Sequence, residues 1–184
     1  MAKKTRKGGA LTELLEAAPH KVLSDLILEL ATEFPGVRRE CFDFLKSQVS
    51  ISKSLEKRSE GEAILALWSE LAPDLEDLDS YGGGDYATED LVAELLDQIR
   101  ERMITKNVDN DHRQEILNLV LPYIKSGNAG MDDMLYEVAY ATCYDDDDLR
   151  ELAQAFEMMP SEWKVGHARD IYRRVGDRDK YLGL

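Results

Sequence analysis

Apolar side chains along this 184-residue chain recur at helical spacing. Ile64, Trp68, Leu71, Leu75 and Leu78 fall at i, i+4, i+7, i+11 and i+14, which places them on one face of a helix. Leu91, Leu95, Ile99 and Met103 mark a second face, with Val92 and Leu96 beside it. Ile116, Leu117, Val120, Leu121 and Ile124 mark a third. Further faces follow at Leu135, Val138, Ala139 and Thr142, at Leu149, Leu152, Ala153 and Phe156, and at Trp163, Ala168, Ile171, Tyr172 and Val175. Towards the N-terminus, Leu11–Ala18, His20–Thr32 and Pro35–Gln48 read as helices, the last with proline in its first turn, where the missing N–H costs nothing. Pro73 and Pro122 lie inside helical patterns and predict a kink or a restart. No segment alternates with period two for long enough to make a strand. Thr88, Asp111 and Ser161 are the expected helix starts, Gly127 and Gly176 the expected stops. Ser50 to Glu60 lacks apolar periodicity and reads as a loop.

These elements predict a single all-α domain of about nine antiparallel helices, stacked as helical hairpins in the manner of an α-solenoid. Within it, residues 1–9 read as a disordered basic tail, 10–79 as an N-terminal helical half, 80–87 as an acidic Gly-rich connector and 88–184 as a C-terminal helical half. A short last helix after Gly176-Asp177 either folds back, is covered by another molecule, or leads into a longer parent.

Two short stretches and one wider succession of segments carry resemblances. EFPGVRRECFDFL (33–45) resembles the second helix of a HEAT repeat, and ARDIYRRVGDRDKYLGL (168–184) resembles part of a tetratricopeptide unit. More widely, LSDLILELATEFPGVRRECFDFL, EAILALWSELAPDLEDLD, RQEILNLVLPYI, AYATCYDDDDLRELAQAFE and ARDIYRRVGDRDKYL follow one another as in the α-helical region that accompanies SWIM-type zinc fingers in bacterial and archaeal proteins. The finger itself needs a Cys-x-Cys pair and a Cys-x-His pair, and the chain has neither. The resemblance therefore implies an α-helical repeat fold and carries over no zinc or nucleic-acid role.

Charge narrows the function further. The net charge is −14. Glu60 to Ile99 holds twelve acids and no Lys or Arg, and Gly130 to Trp163 holds ten acids against Arg150. Only the ends are basic, at Lys3–Lys7 and between Lys164 and Lys180. Such a surface repels phosphates and disfavours nucleic acid as the partner. No apolar run approaches the roughly 20 residues of a membrane span. Two distant cysteines, Cys41 and Cys143, fit a reducing compartment and a cytoplasmic protein.

Few residues suggest chemistry. DLDSYGGGDYATED (77–90) places Asp77, Asp79 and Gly82 as a calcium loop does, but Tyr81 and Thr88 stand where ligands belong. It reads as a mobile connector, ordered by Tyr81 or Tyr86 packing on a neighbouring helix. From Asp146, the same spacing is broken by Arg150 and Glu151, and an acid run before a helix suits the helix dipole without metal. Asp109, Asp111 and His112 are the candidate ligands for an alternative reading as a metal-binding protein or metal-dependent hydrolase. A second alternative is a nucleic-acid accessory protein acting through the basic ends. No nucleophile elbow, nucleotide fingerprint or Glu-x-x-His pair is present, so neither catalytic residues nor a cofactor are expected. Tyr136, Tyr140 and Tyr144, four apart beside Asp145, Asp146, Asp147 and Asp148, form the candidate binding surface. It suits a protein partner with a basic, partly apolar segment. The leading expectation is a non-enzymatic helical-repeat module for protein–protein interaction.

Overall fold

A computed structural model of the chain describes residues 9–49, 52–159 and 161–184. Among these, every regular element is a helix, and there are ten: α1 (Ala10–Ala17), α2 (His20–Glu33), α3 (Pro35–Gln48), α4 (Lys53–Tyr81), α5 (Tyr86–Thr105), α6 (Asn110–Ser126), α7 (Asp132–Thr142), α8 (Asp146–Glu157), α9 (Glu162–Arg174) and α10 (Arg178–Gly183). The single all-α domain expected from the apolar spacing is what forms. The predicted basic tail lies almost wholly outside the described residues. No described helix is long and apolar enough to cross a membrane.

One continuous core runs through α4 to α9. Ile64, Leu67, Leu71, Leu75 and Leu78 of α4 are buried against Val92, Leu96 and Ile99 of α5 and Ile116, Val120 and Ile124 of α6. Leu135, Val138 and Ala139 of α7, Leu152 and Phe156 of α8, and Ala168, Ile171 and Tyr172 of α9 continue it. Successive helices pair as α4 with α5, α6 with α7 and α8 with α9, and equivalent members of the first two pairs also touch, α4 with α6 and α5 with α7. α10 folds back on α9. Its Lys180 pairs with Glu157 at 3.1 Å, and Arg169 donates to the Leu184 carbonyl.

Several boundaries differ from expectation. The expected loop before Glu60 is helical from Lys53 onward, because Ser52 caps α4 by accepting the Leu55 N–H at 3.2 Å. Polar sequence hid this turn: Glu60 is buried by ion pairs, to Lys46 at 2.6 Å and Arg102 at 3.2 Å, where apolar periodicity has nothing to report. Pro73 and Pro122 do not restart their helices. Apolar contacts along the buried faces outweigh one lost hydrogen bond each. The start of α5 is capped by Asp85 rather than Thr88, and that of α6 by Asp109 rather than Asp111. Ser161 holds the cap position of α9 without a side-chain bond.

The 82–85 turn is tied down by backbone and caps. Gly82 and Gly83, at φ 75° and 118°, both donate to the Leu78 carbonyl at 2.9 Å, closing α4 through conformations that side-chain-bearing residues rarely adopt. Gly84 donates to Glu89 at 3.1 Å, and the Asp85 carboxylate accepts from the N–H groups of Ala87 and Thr88. Tyr81 and Tyr86 are 83% and 85% exposed. The expectation that these rings order the turn is therefore overturned.

The N-terminal helices are built differently. No residue of α1, α2 or α3 is fully buried. α3 meets the body of the protein through charge: Arg39 with Glu70 at 3.1 Å, Lys46 with Glu60, and Asp43 with Arg102 at 2.6 Å. Partial burial opposes the charged form of Asp43, but the Arg102 guanidinium outweighs it and holds the carboxyl below its ordinary value.

Candidate docking cleft at the ends of α5 and α7

Arg113 organises this region. It enters from the first turn of α6 and is 7% exposed. Its Nη1 donates to the carbonyls of Ala141 (3.0 Å) and Thr142 (3.3 Å), and its Nη2 to Met103 (3.0 Å). These are terminal carbonyls of α7 and α5, which carry partial negative charge and lack helical partners. The guanidinium thus joins two helix C-termini, and its charge is offset by dipoles rather than by a paired carboxylate. Its outer side lies 5.9 Å from the centroid of the Tyr144 ring.

Over this floor opens a cleft of about 650 Å³ between the α5 end and α7. Arg100, Lys106 and Arg113 line it against a single acid, Glu137. Glu137 pairs with Arg100 at 3.3 Å, and Arg100 also holds Asp97. Arg113 is committed to the carbonyls beneath, and Lys106 is exposed with no ion-pair partner among the described residues. Tyr140 and Tyr144 supply aromatic walls, with Cys143 between them. Burial pushes the Tyr140 phenol up to about 12 and the Cys143 thiol up to about 11, so both stay neutral at physiological pH. A second opening of about 440 Å³ adjoins the first across Tyr144 and Arg113 and includes Lys57, Asp145 and Asp148.

The seven residues expected to form one binding surface are separated. Tyr136 is 3% exposed and belongs to the core. Its ring stacks on His167 at 4.1 Å and 11°, meets Trp163 edge-on at 4.9 Å and Phe156 at 5.2 Å. Burial raises its pKa and leaves its hydroxyl without a protein partner. Tyr140 is half-buried beside the same cluster, its hydroxyl 3.4 Å from His167 Nδ1. Of the three tyrosines, Tyr144 alone stands in solvent, at 81% exposure. It lies beyond Thr142, where α7 ends.

Local bonds account for most of the acid run. Asp145 caps α8 by accepting the N–H groups of Asp147 and Asp148, Asp148 accepts the Tyr144 N–H at 2.7 Å, and Asp147 pairs with Arg150 at 2.6 Å. Asp146 is exposed in the first turn of α8.

The alternative ligand set is also engaged. Both oxygens of Asp109 lie 2.8 Å from His112 Nδ1, while Asp111 is exposed on the opposite side of the turn's register. Partial burial opposes the charge on Asp109, but the His112 ring and backbone N–H hold it ionised below its usual range. Among the described residues, no three His, Cys, Asp or Glu side chains converge on one point. Of the C-terminal cations, Lys164 is buried and donates to the Lys125 carbonyl at 3.0 Å and to the Ile124 carbonyl, closing α6. Lys3–Lys7 lie outside the described residues.

Compared with known proteins, the chain matches no family model, no curated protein and no solved structure. Lys106 and Arg113 escaped the sequence reading because each is a lone cation in a polar turn. Only the fold brings them to the tyrosines.

Proposed function

We propose that this chain is a non-enzymatic helical-repeat module that holds a segment of another protein in the cleft between α5 and α7. The partner segment carries a carboxylate, directed to Lys106, beside an aromatic or branched apolar side chain that lies on Tyr144. One observation carries the reading: in a chain of net charge −14, this cleft gathers a surplus of cations beside an exposed tyrosine. Tyrosine is among the residues that supply much of the energy at protein interfaces once a partner covers it, and a rim lysine steers an oppositely charged partner. The cleft is open rather than enclosed by apolar walls, which favours a chain segment over a small metabolite. Pairing of helices α4–α5 and α6–α7, with like members in contact, supports the repeat-like part of the reading. The non-enzymatic part draws support from a Cys143 thiol held neutral by burial.

The charge of the partner differs from the basic segment that the acid run suggests in sequence. Asp145, Asp147 and Asp148 each give an oxygen to a local bond, with the first N–H groups of α8, with Arg150 and with the Tyr144 N–H respectively, whereas Lys106 has no ion-pair partner among the described residues. Selection from a displayed peptide library tests the choice. Enriched peptides are expected to combine an acid with an aromatic or Leu residue. Lys106→Glu or Tyr144→Ala is expected to weaken them about tenfold, roughly 1.4 kcal/mol each. Enrichment of basic peptides, or binding indifferent to both substitutions, contradicts the reading.

A further inference from the structure

α3 is an amphipathic helix mounted with its polar face inward. Arg39, Asp43 and Lys46 point to α4 and α5 and are held there by ion pairs. Val37, Phe44 and Leu45 lie on the opposite side and are exposed, Phe44 at 65%. α2 packs on α3 and leaves Val22, Leu26 and Leu30 exposed at spacings of four. α1 adds Leu11 and Leu15, also four apart and exposed. A helix that turned its apolar stripe to water would gain nothing from having one. Among the described residues, nothing covers this stripe.

We infer that the cover is a second copy of this chain, and that the α1–α3 faces of two molecules pack together to form a dimer. Two observations favour this occupant. The first is area. The eight side chains of the stripes, Leu11, Leu15, Val22, Leu26, Leu30, Val37, Phe44 and Leu45, are exposed, on average by about half. At about 100 Å² for a fully exposed side chain of this kind, they present on the order of 400 Å². An interface is roughly 60% apolar, so a face built on these stripes approaches about 700 Å² with its polar rim. Specific dimers bury roughly 600–1,000 Å² on each partner, which a face of this size reaches. The second is charge. Residues 9–49 hold seven acids and four bases, whereas residues 52–184 hold thirty acids and fifteen bases. Two copies approaching through the segment from Glu60 to Ile99, with twelve acids and no Lys or Arg, would bring strongly like-charged surfaces together. Approach through α1–α3 brings together the least charged part of the molecule, with Arg39 and Lys46 already neutralised within each chain. An isologous contact of this kind closes on itself and leaves both docking clefts free.

Sedimentation velocity on the full chain tests this. The protein is expected to sediment at twice the chain mass, shifting towards the monomer on dilution. Leu26→Glu combined with Phe44→Glu is expected to raise the dimer dissociation constant at least a hundredfold, with helix content by circular dichroism unchanged. Met158→Glu, exposed at the end of α8, is expected to leave the dimer intact. A second measurement needs no variant at the interface. Cys41 lies four residues from both Val37 and Leu45, so its alkylation, followed by mass spectrometry, is expected to slow as protein concentration rises. A monomer at every concentration overturns the inference, as does a monomer that binds phosphatidylcholine vesicles or another protein through this face. Open-ended oligomers, a dimer indifferent to the double substitution, or a Cys41 rate independent of concentration overturn it equally.

Discussion

Gly61 and His112 show how closely α4 and α6 approach. A Cβ built on Gly61 overlaps the His112 ring, which Asp109 holds from the other side. Gly61→Ala gains up to about 1 kcal/mol in helix propensity. It loses about 1–3 kcal/mol to overpacking, because His112 has no free direction in which to move. The net expectation is a melting temperature lowered by a few degrees; an increase would show that the two helices part easily. Arg113 is a second pivotal side chain. Arg113→Met leaves the Met103, Ala141 and Thr142 carbonyls without their donor, and urea unfolding is expected to show a loss of about 3 kcal/mol. Lys106→Met, on the exposed rim, is expected to change stability by less than about 0.5 kcal/mol. Equal losses for the two would remove Arg113 from its joining role.

At the scale of elements, α9 carries a pH dependence. His167 lies among Tyr136, Tyr140, Phe156 and Trp163, and burial lowers its pKa, partly opposed by Asp170 and Asp133. The unfolded chain binds its proton near pH 6.5, above the folded value. Stability from this group is therefore fully present above about pH 6.5 and is lost as pH falls through the lower folded value. His167→Phe keeps the stacking with Tyr136 and removes the proton. Its melting temperature is expected to fall less than that of the parent between pH 7.5 and pH 5, and parallel declines would contradict the assignment. Elements with an apolar period were legible in sequence: the faces at Ile64, Leu95, Ile116, Leu135, Leu152 and Ile171 all lie in one core. The first turns of α4 were not, because Glu60 is buried by charges from Lys46 and Arg102, 14 and 42 residues away in sequence. Nor was the reversed mounting of α3, whose sequence shows an apolar stripe but not the ion pairs that turn it outward.

For the whole molecule, charge is divided by location. Acids cap helices and coat the surface, while Arg113 and Lys164 close helix ends from inside. Of the candidate site, the sequence showed the tyrosines but not their fates. Residues four apart advance about 400° around a helix. The stripe therefore drifts, taking Tyr136 into the core and Tyr140 to its edge, and α7 stops before Tyr144. The cleft that results is lined by Lys106 and Tyr144, and the proposed acidic partner rests on that lining. The direct test is a titration of ¹⁵N-labelled protein with the acidic, aromatic-bearing peptide selected from the library, followed residue by residue by nuclear magnetic resonance. Shifts concentrated at Ile104–Asn107 and Ala141–Tyr144 and abolished by Lys106→Glu are the predicted result; shifts at Asp145–Asp148 with a basic peptide, or at neither place, would contradict it.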